Sequence, residues 1–174
     1  MVSPTLSRFE LVLPNEAATQ VFASDIANAL EPGDFVTLSG DLGAGKTTLT
    51  QGIGRGLGVR GAITSPTFVI ARVHPSTTGG PPLVHVDAYR LESLDEVDDL
   101  DLDASLDDSV TVVEWGEGKV EGLAEDRLVV RIDHPTGDSD DGVDGDDGDE
   151  PRTVTLTGIG ARWDGVVLDA VAAS

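Results

Sequence analysis

The sequence predicts a three-layer α/β domain with a mixed, mostly parallel central sheet and a C-terminal antiparallel hairpin. Three observations predict it. Short β-rich runs alternate with a segment of helical apolar spacing near the N-terminus, a glycine-rich turn then joins a β-run to a second helix, and two late segments alternate apolar and polar residues as paired strands do. At 39% hydrophobic and 25% charged over 174 residues, the chain has enough apolar material for one core, and a single domain over 1–174 accommodates every element.

Phe9-Glu-Leu-Val-Leu13 reads as a short strand. Ala18, Val21, Phe22, Ile26, Ala29 and Leu30 then recur at helical spacing behind Asn15, a residue suited to an N-cap, and Glu31-Pro32-Gly33-Asp34 stops the helix. Phe35-Val-Thr-Leu-Ser39 is a β-run that leads through the glycine-rich turn into a helix over 47–57, closed by Gly58. Gly52, Gly54 and Gly56 weaken that helix by roughly 1 kcal/mol each relative to alanine, so their expected use is close packing on a sheet.

Residues 67–73 and 83–87 are two further strands, joined by a Pro/Gly/Thr loop over 75–82. The acidic stretch from Glu92, with Leu91, Leu94 and Val97, is consistent with a short helix whose outer face is solvated. Val110 to Glu114 is a buried-type strand. Leu128, Val130 and Ile132, and later Val154 and Leu156, mark the hairpin, and its Gly/Asp-rich connection over 137–150 is expected to be a disordered acidic insertion.

Composition excludes several functions. Cysteine is absent, which removes disulfides, thiolate zinc sites, iron–sulfur clusters and a cysteine nucleophile. Lys plus Arg number 11 against 32 Asp plus Glu, a net charge of −21, with 17 of the acids in 92–108 and 138–150. Such a surface repels phosphate backbones, so autonomous binding of DNA or RNA is not expected. No apolar run approaches the roughly 20 residues of a bilayer span, and the first residues lack a secretory layout, so the expected location is the cytoplasm, away from any membrane.

Gly40-Asp-Leu-Gly-Ala-Gly45-Lys46-Thr47 matches G-x-x-x-x-G-K-[ST], and it stands after a strand and before a helix, as the chemistry requires. Backbone N–H groups of such a loop wrap a phosphate, the helix N-terminus adds the positive end of its dipole, Lys46 reaches the β and γ phosphates, and the Thr47 hydroxyl ligates magnesium. The expected nucleotide-binding set is therefore Asp41, Leu42, Gly43, Ala44, Gly45, Lys46, Thr47 and Thr48. One of only two lysines in the chain falls on this position. The predicted fold is accordingly of the P-loop NTPase type.

Val84-His-Val-Asp87 places an acid at a strand end, where a Walker-B aspartate sits, and Val112-Val-Glu114 ends the next strand with another. In a parallel sheet both face the phosphate loop, because ligands collect at the carboxyl edge. Lys46, Asp87 and Glu114 are the expected catalytic residues, and Thr47, Asp87 and Glu114 the expected metal site.

The combination of Gly40-Asp-Leu-Gly-Ala-Gly-Lys-Thr-Thr48, Ser65-Pro-Thr-Phe68, His85-Val-Asp-Ala-Tyr-Arg-Leu91 and Val113-Glu-Trp-Gly-Glu117 resembles the TsaE (formerly YjeE) family, the bacterial ATPase of tRNA threonylcarbamoyladenosine synthesis. The resemblance spans about residues 9–160. It implies a small P-loop protein that uses ATP and Mg2+, hydrolyses ATP slowly alone, and docks onto a TsaB–TsaD pair, so that tRNA is met only through partners. It implies that Asp87 and Glu114 belong to the magnesium and water machinery, whether by ligation or by orienting water, and that Ser65-Pro66-Thr67 behaves as a switch. Gly116, where proline is usual, and the insertion at 137–150 depart from the family outside the phosphate site.

Arg152, at the start of the last strand, is a further candidate for reaching nucleotide phosphate. His85 shares a strand face with Asp87 and is read as a hydrogen-bonded structural histidine, Tyr89 and Trp115 as packing residues, and Gly160-Ala-Arg-Trp163 as a closing contact. Two rival functions share the phosphate loop: a small-molecule kinase and a nucleotide-gated adaptor in which hydrolysis is incidental. Such kinases clamp phosphates with lid arginines, and neither 75–82 nor 92–108 contains one.

Overall fold

A computed structural model of the chain describes residues 6–40, 45–59, 71–87, 107–114, 125–133 and 151–163. The expected switch at 65–67, the acidic helix from Glu92, Tyr89, Trp115, Gly116 and the insertion at 137–150 lie outside the described residues.

Strand β1 (Leu6–Leu13) leads to helix α1 (Glu16–Ala27). Asn15 stands extended before that helix, and its side-chain oxygen accepts from the Ala18 amide at 2.8 Å, satisfying one of the donors a helix start leaves open. Phe22, Ala23, Ile26 and Ala27 are buried along one stripe. Strand β2 (Phe35–Gly40) and helix α2 (Lys46–Leu57) follow, and α2 ends on Gly58 with φ +70°, a left-handed turn that glycine adopts without a Cβ penalty. Strands β3 (Ala71–His74), β4 (Leu83–Asp87), β5 (Val110–Glu114), β6 (Arg127–Asp133) and β7 (Arg152–Ile159) complete the sheet, and a 3-10 turn at Ala161–Trp163 closes the described chain.

The seven strands run in the order β1-β7-β6-β2-β5-β4-β3. The central ladders, β6 with β2, β2 with β5 and β5 with β4, are parallel, and antiparallel ladders flank them on both sides. The expected hairpin is β6–β7, in register from Arg127 opposite Ile159 to Asp133 opposite Thr153. β1 adds antiparallel to the far side of β7.

Val36, Leu38, Val110, Val112, Leu128, Val130 and Ile132 point to the face that α1 and α2 cover and join one core with Phe22, Ile26, Leu49, Ile53 and Trp163. On the opposite face Phe35, Val84, Val86 and Val113 are buried as well, as expected of parallel strands covered on both sides.

Gly52 and Gly56 of α2 serve a different contact from the one expected. A Cβ on Gly52 would lie 2.6 Å from the Ala23 Cβ and 2.8 Å from the Gln20 carbonyl oxygen, and one on Gly56 would lie 2.6 Å from the Ala27 Cβ and 2.8 Å from the Ser24 carbonyl oxygen. They bring α2 against α1, not against the sheet. Glycines four apart face alanines four apart, because one helical turn returns to the same stripe.

Candidate functional site

The site forms where β2, β4 and β5 end and α2 begins. Register makes it. Leu38 of β2 pairs with Glu114 of β5, and Asp87 of β4 also pairs with Glu114, so both acids stand at the carboxyl edge beside the turn that follows Gly40. In parallel strands, register partners project to the same face, and here that face is the one carrying α2.

Gly45 has φ +110° and ψ +21°, a conformation side chains rarely adopt, and it launches α2 at Lys46. Asp41, Leu42, Gly43 and Ala44 lie outside the described residues. Lys46 is buried, its Nζ donating to the Gly40 carbonyl at 2.9 Å. Thr47 follows on the first helical turn and its hydroxyl donates to Glu114 Oε1 at 3.4 Å. Thr48 is half-buried on the same turn.

Glu114 is only 2% exposed, and a carboxyl group so placed needs polar neighbours around it. Hydroxyl donors serve one oxygen, and an imidazole lies close to the other. Besides Thr47, the hydroxyl of the fully buried Thr50 lies 3.5 Å from Oε1, and His85 Nε2 lies 3.3 Å from Oε2. Asp87, half-buried, is the register neighbour of Glu114. Among the described residues no three His, Cys, Asp or Glu side chains converge into a cage for an ion, so any cation at this edge would rely on hydroxyl, water or phosphate oxygens as well.

Arg152 lies at the loop. It opens β7, is 5% exposed, and its Nη1 would be 2.6 Å from a Cβ on Gly45. Thus the sequence candidates Gly45, Lys46, Thr47, Asp87, Glu114 and Arg152 gather at one edge. Thr50 was not among them, although its spacing of three from Thr47 and four from Lys46 places it on their helix face. His85 is buried but, contrary to the sequence expectation, neither ring nitrogen makes a hydrogen bond among the described residues; it is instead a close neighbour of Glu114. Arg162 behaves as the expected closing contact: its guanidinium grips both carboxylate oxygens of Asp34 at 2.9 and 2.8 Å, donates to the Ala29 carbonyl, and lies 4.6 Å from the Trp163 ring centroid.

A strand, a positive-φ glycine and a helix opening on Lys-Thr, faced by acids from two adjacent parallel strands, define a P-loop-type nucleotide-binding protein. The sequence profile of "Threonylcarbamoyl adenosine biosynthesis protein TsaE" matches residues 13–141. A protein of Streptomyces coelicolor named "tRNA threonylcarbamoyladenosine biosynthesis protein TsaE" is 68% identical over 79% of this chain and 88% of its own, and one of the same name from Mycobacterium tuberculosis is 50% identical over 70% and 76%. The crystal structure of Bacillus subtilis YdiB superposes with a TM-score of 0.72 at 31% identity, covering 98% of both chains. The chain belongs to the TsaE family. No helix among the described residues is long and apolar enough to cross a membrane.

Proposed function

We propose that this protein binds and hydrolyses ATP with Mg2+, and that it does so in support of tRNA threonylcarbamoyladenosine modification, acting with a TsaB–TsaD-type transferase pair. The observation that carries the reading is the convergence of Thr47 and Glu114 at 3.4 Å beside the buried Lys46. Lys46 supplies a point charge for the β and γ phosphates, and the Asp41–Thr48 segment supplies backbone and hydroxyl donors for the phosphate chain. Arg152, against Gly45, adds a second cation at the same loop.

Hydroxyl and carboxylate oxygens are hard donors, so the Thr47–Glu114 pair with Asp87 fits Mg2+. The chemistry such an ion would supply there is neutralisation of the charge on the phosphates. Glu114 and Asp87 would hold the ion and orient the attacking water, and Lys46 would keep the phosphates in place. The pathway assignment rests on family membership and on the names of the relatives.

Lys46→Ala tests the reading. Wild-type protein should turn over ATP slowly without an added acceptor and should be required for repeated tRNA modification by a TsaB–TsaD-type complex. The variant should lose both while keeping its melting temperature within a few degrees. Turnover only with a small-molecule acceptor would reassign the protein as a kinase, and rescue of modification by a nonhydrolysable ATP analogue would make it an adaptor.

A further inference from the structure

Glu114 carries two jobs in the proposed chemistry, and both depend on which way its carboxylate is turned. A glutamate side chain has three rotatable bonds and would sample several orientations if nothing held it. The structure divides its two oxygens between different neighbours. Oε1 faces the α2 hydroxyls, Thr47 at 3.4 Å and Thr50 at 3.5 Å; Oε2 faces the His85 imidazole at 3.3 Å.

His85 is 0% exposed, although two polar nitrogens make its burial costly. Its neighbourhood among the described residues offers Nδ1 no hydrogen-bond partner. The sheet explains why it sits there. His85 pairs in register with Val112, two residues before Glu114 on the same face of β5, so the imidazole and the carboxylate are diagonal neighbours on adjacent strands. At 3.3 Å the ring nitrogen touches Oε2 but is out of line for a hydrogen bond. Catalytic hydrogen bonds are commonly loose before substrate binds and tighten afterwards. Thr50 complements it: its single hydroxyl proton is within reach of both the Lys46 carbonyl, at 3.0 Å, and Glu114 Oε1. When Oε1 turns to another partner, that proton retains an acceptor within helix α2.

We propose that His85 is a positioning residue, which anchors Oε2 of Glu114 through Nε2 and so aims Oε1 at the Thr47 hydroxyl, where Mg2+ and the attacking water are to be managed. The proposal rests on the ATPase reading above. It gives the buried imidazole a use that a packing role does not, since an aliphatic side chain would fill the same space without a desolvated nitrogen. Partners that orient metal-ligating groups are typically worth 10–100-fold in metal affinity or activity.

The test uses the full chain with His85→Leu, which fills space but has no donor, and His85→Gln, whose amide nitrogen can take the place of Nε2. For each, kcat and KM for ATP are measured, together with ATP affinity by calorimetry in Mg2+ and in EDTA. In His85→Leu, kcat and the affinity gained from Mg2+ should each fall about 10-fold or more, while affinity in EDTA stays within about threefold of wild type, as expected of a site whose phosphate contacts are intact. His85→Gln should recover most of both. In a Glu114→Gln background, His85→Leu should change neither quantity further, because the two act as one unit.

Wild-type kcat and Mg2+ dependence in His85→Leu would overturn the proposal and leave the ATPase reading standing. Equal losses in the Leu and Gln variants, or losses that add to those of Glu114→Gln, would also overturn it. If His85→Leu fails to fold, His85→Gln with wild-type behaviour supports anchoring through nitrogen, and His85→Gln lacking Mg2+-dependent binding opposes it. Wild-type protein that neither binds nor hydrolyses ATP would overturn both readings together.

Discussion

The guanidinium of Arg152 rests against the α-carbon of Gly45, so closely that a Cβ there would meet Nη1 at 2.6 Å. Two residues more than a hundred positions apart thereby share the mouth of the phosphate loop. Gly45→Ala should be damaging twice over. It would force a Cβ into a φ of +110° and push Arg152 away, costing about 1–3 kcal/mol of stability and most of the ATP affinity. Urea unfolding and nucleotide titration check the two effects separately. Arg152→Ala in the same background should relieve the clash and restore part of the stability without restoring ATP affinity.

Asp87→Asn and Glu114→Gln should each lower ATP turnover by about 100-fold or more, the scale associated with removing a group that manages water or its proton. The two should differ in binding. Glu114 stands at the Thr47 hydroxyl, so Glu114→Gln should also weaken Mg2+-dependent nucleotide affinity. Asp87→Asn should leave more of that affinity in place. Turnover at the wild-type rate in either variant would remove that acid from the site.

Gly52→Ala gains about 1 kcal/mol of helix propensity, yet it should lower stability. The new methyl group would stand 2.6 Å from the Ala23 Cβ and 2.8 Å from the Gln20 carbonyl oxygen, a backbone atom that can move only with α1. Overpacking of this kind costs about 1–3 kcal/mol, so the expected net change is a loss read as a lower urea midpoint.

Arg162→Ala should destabilise the fold by about 3 kcal/mol, the lower end for breaking a buried ion pair. It strands the Asp34 carboxylate, 5% exposed in its side chain, and removes the donor to the Ala29 carbonyl. Asp34 retains the Glu31 amide at 2.7 Å, and the partial exposure of Arg162 moderates the loss. ATP turnover per folded molecule should be unaffected, since the clamp ties the last 3-10 turn to the α1–β2 connection, away from the loop.

The isolated protein should show no specific tRNA affinity at moderate salt, with or without ATP. A net charge of −21 offers phosphates no counterion-releasing patch, and the 11 basic residues include Lys46, Arg152 and Arg162, already placed at the loop and the clamp. Anisotropy titration across a salt series is the measurement. Tight, salt-sensitive binding would contradict the assignment of tRNA holding to a partner.

Local chemistry was open to reading from the sequence alone. The segment Gly40 to Thr47 is a short run whose glycine spacing and charge are written in adjacent residues, and strand-end acids such as Asp87 and Glu114 follow from where apolar runs stop. The alternation of Leu128, Val130 and Ile132 likewise fixes which residues face the core. What alternation cannot say is which strand lies beside which. The neighbours of Glu114 depend on the order β2-β5-β4, the approach of Arg152 to Gly45 depends on β7 running antiparallel beside β6, and the use of Gly52 and Gly56 depends on α1 lying against α2. Periodicity assigns a residue to a face because that is a property of one strand or helix; contact between elements distant in sequence is decided only when the sheet closes its hydrogen bonds and the helices bury their stripes together.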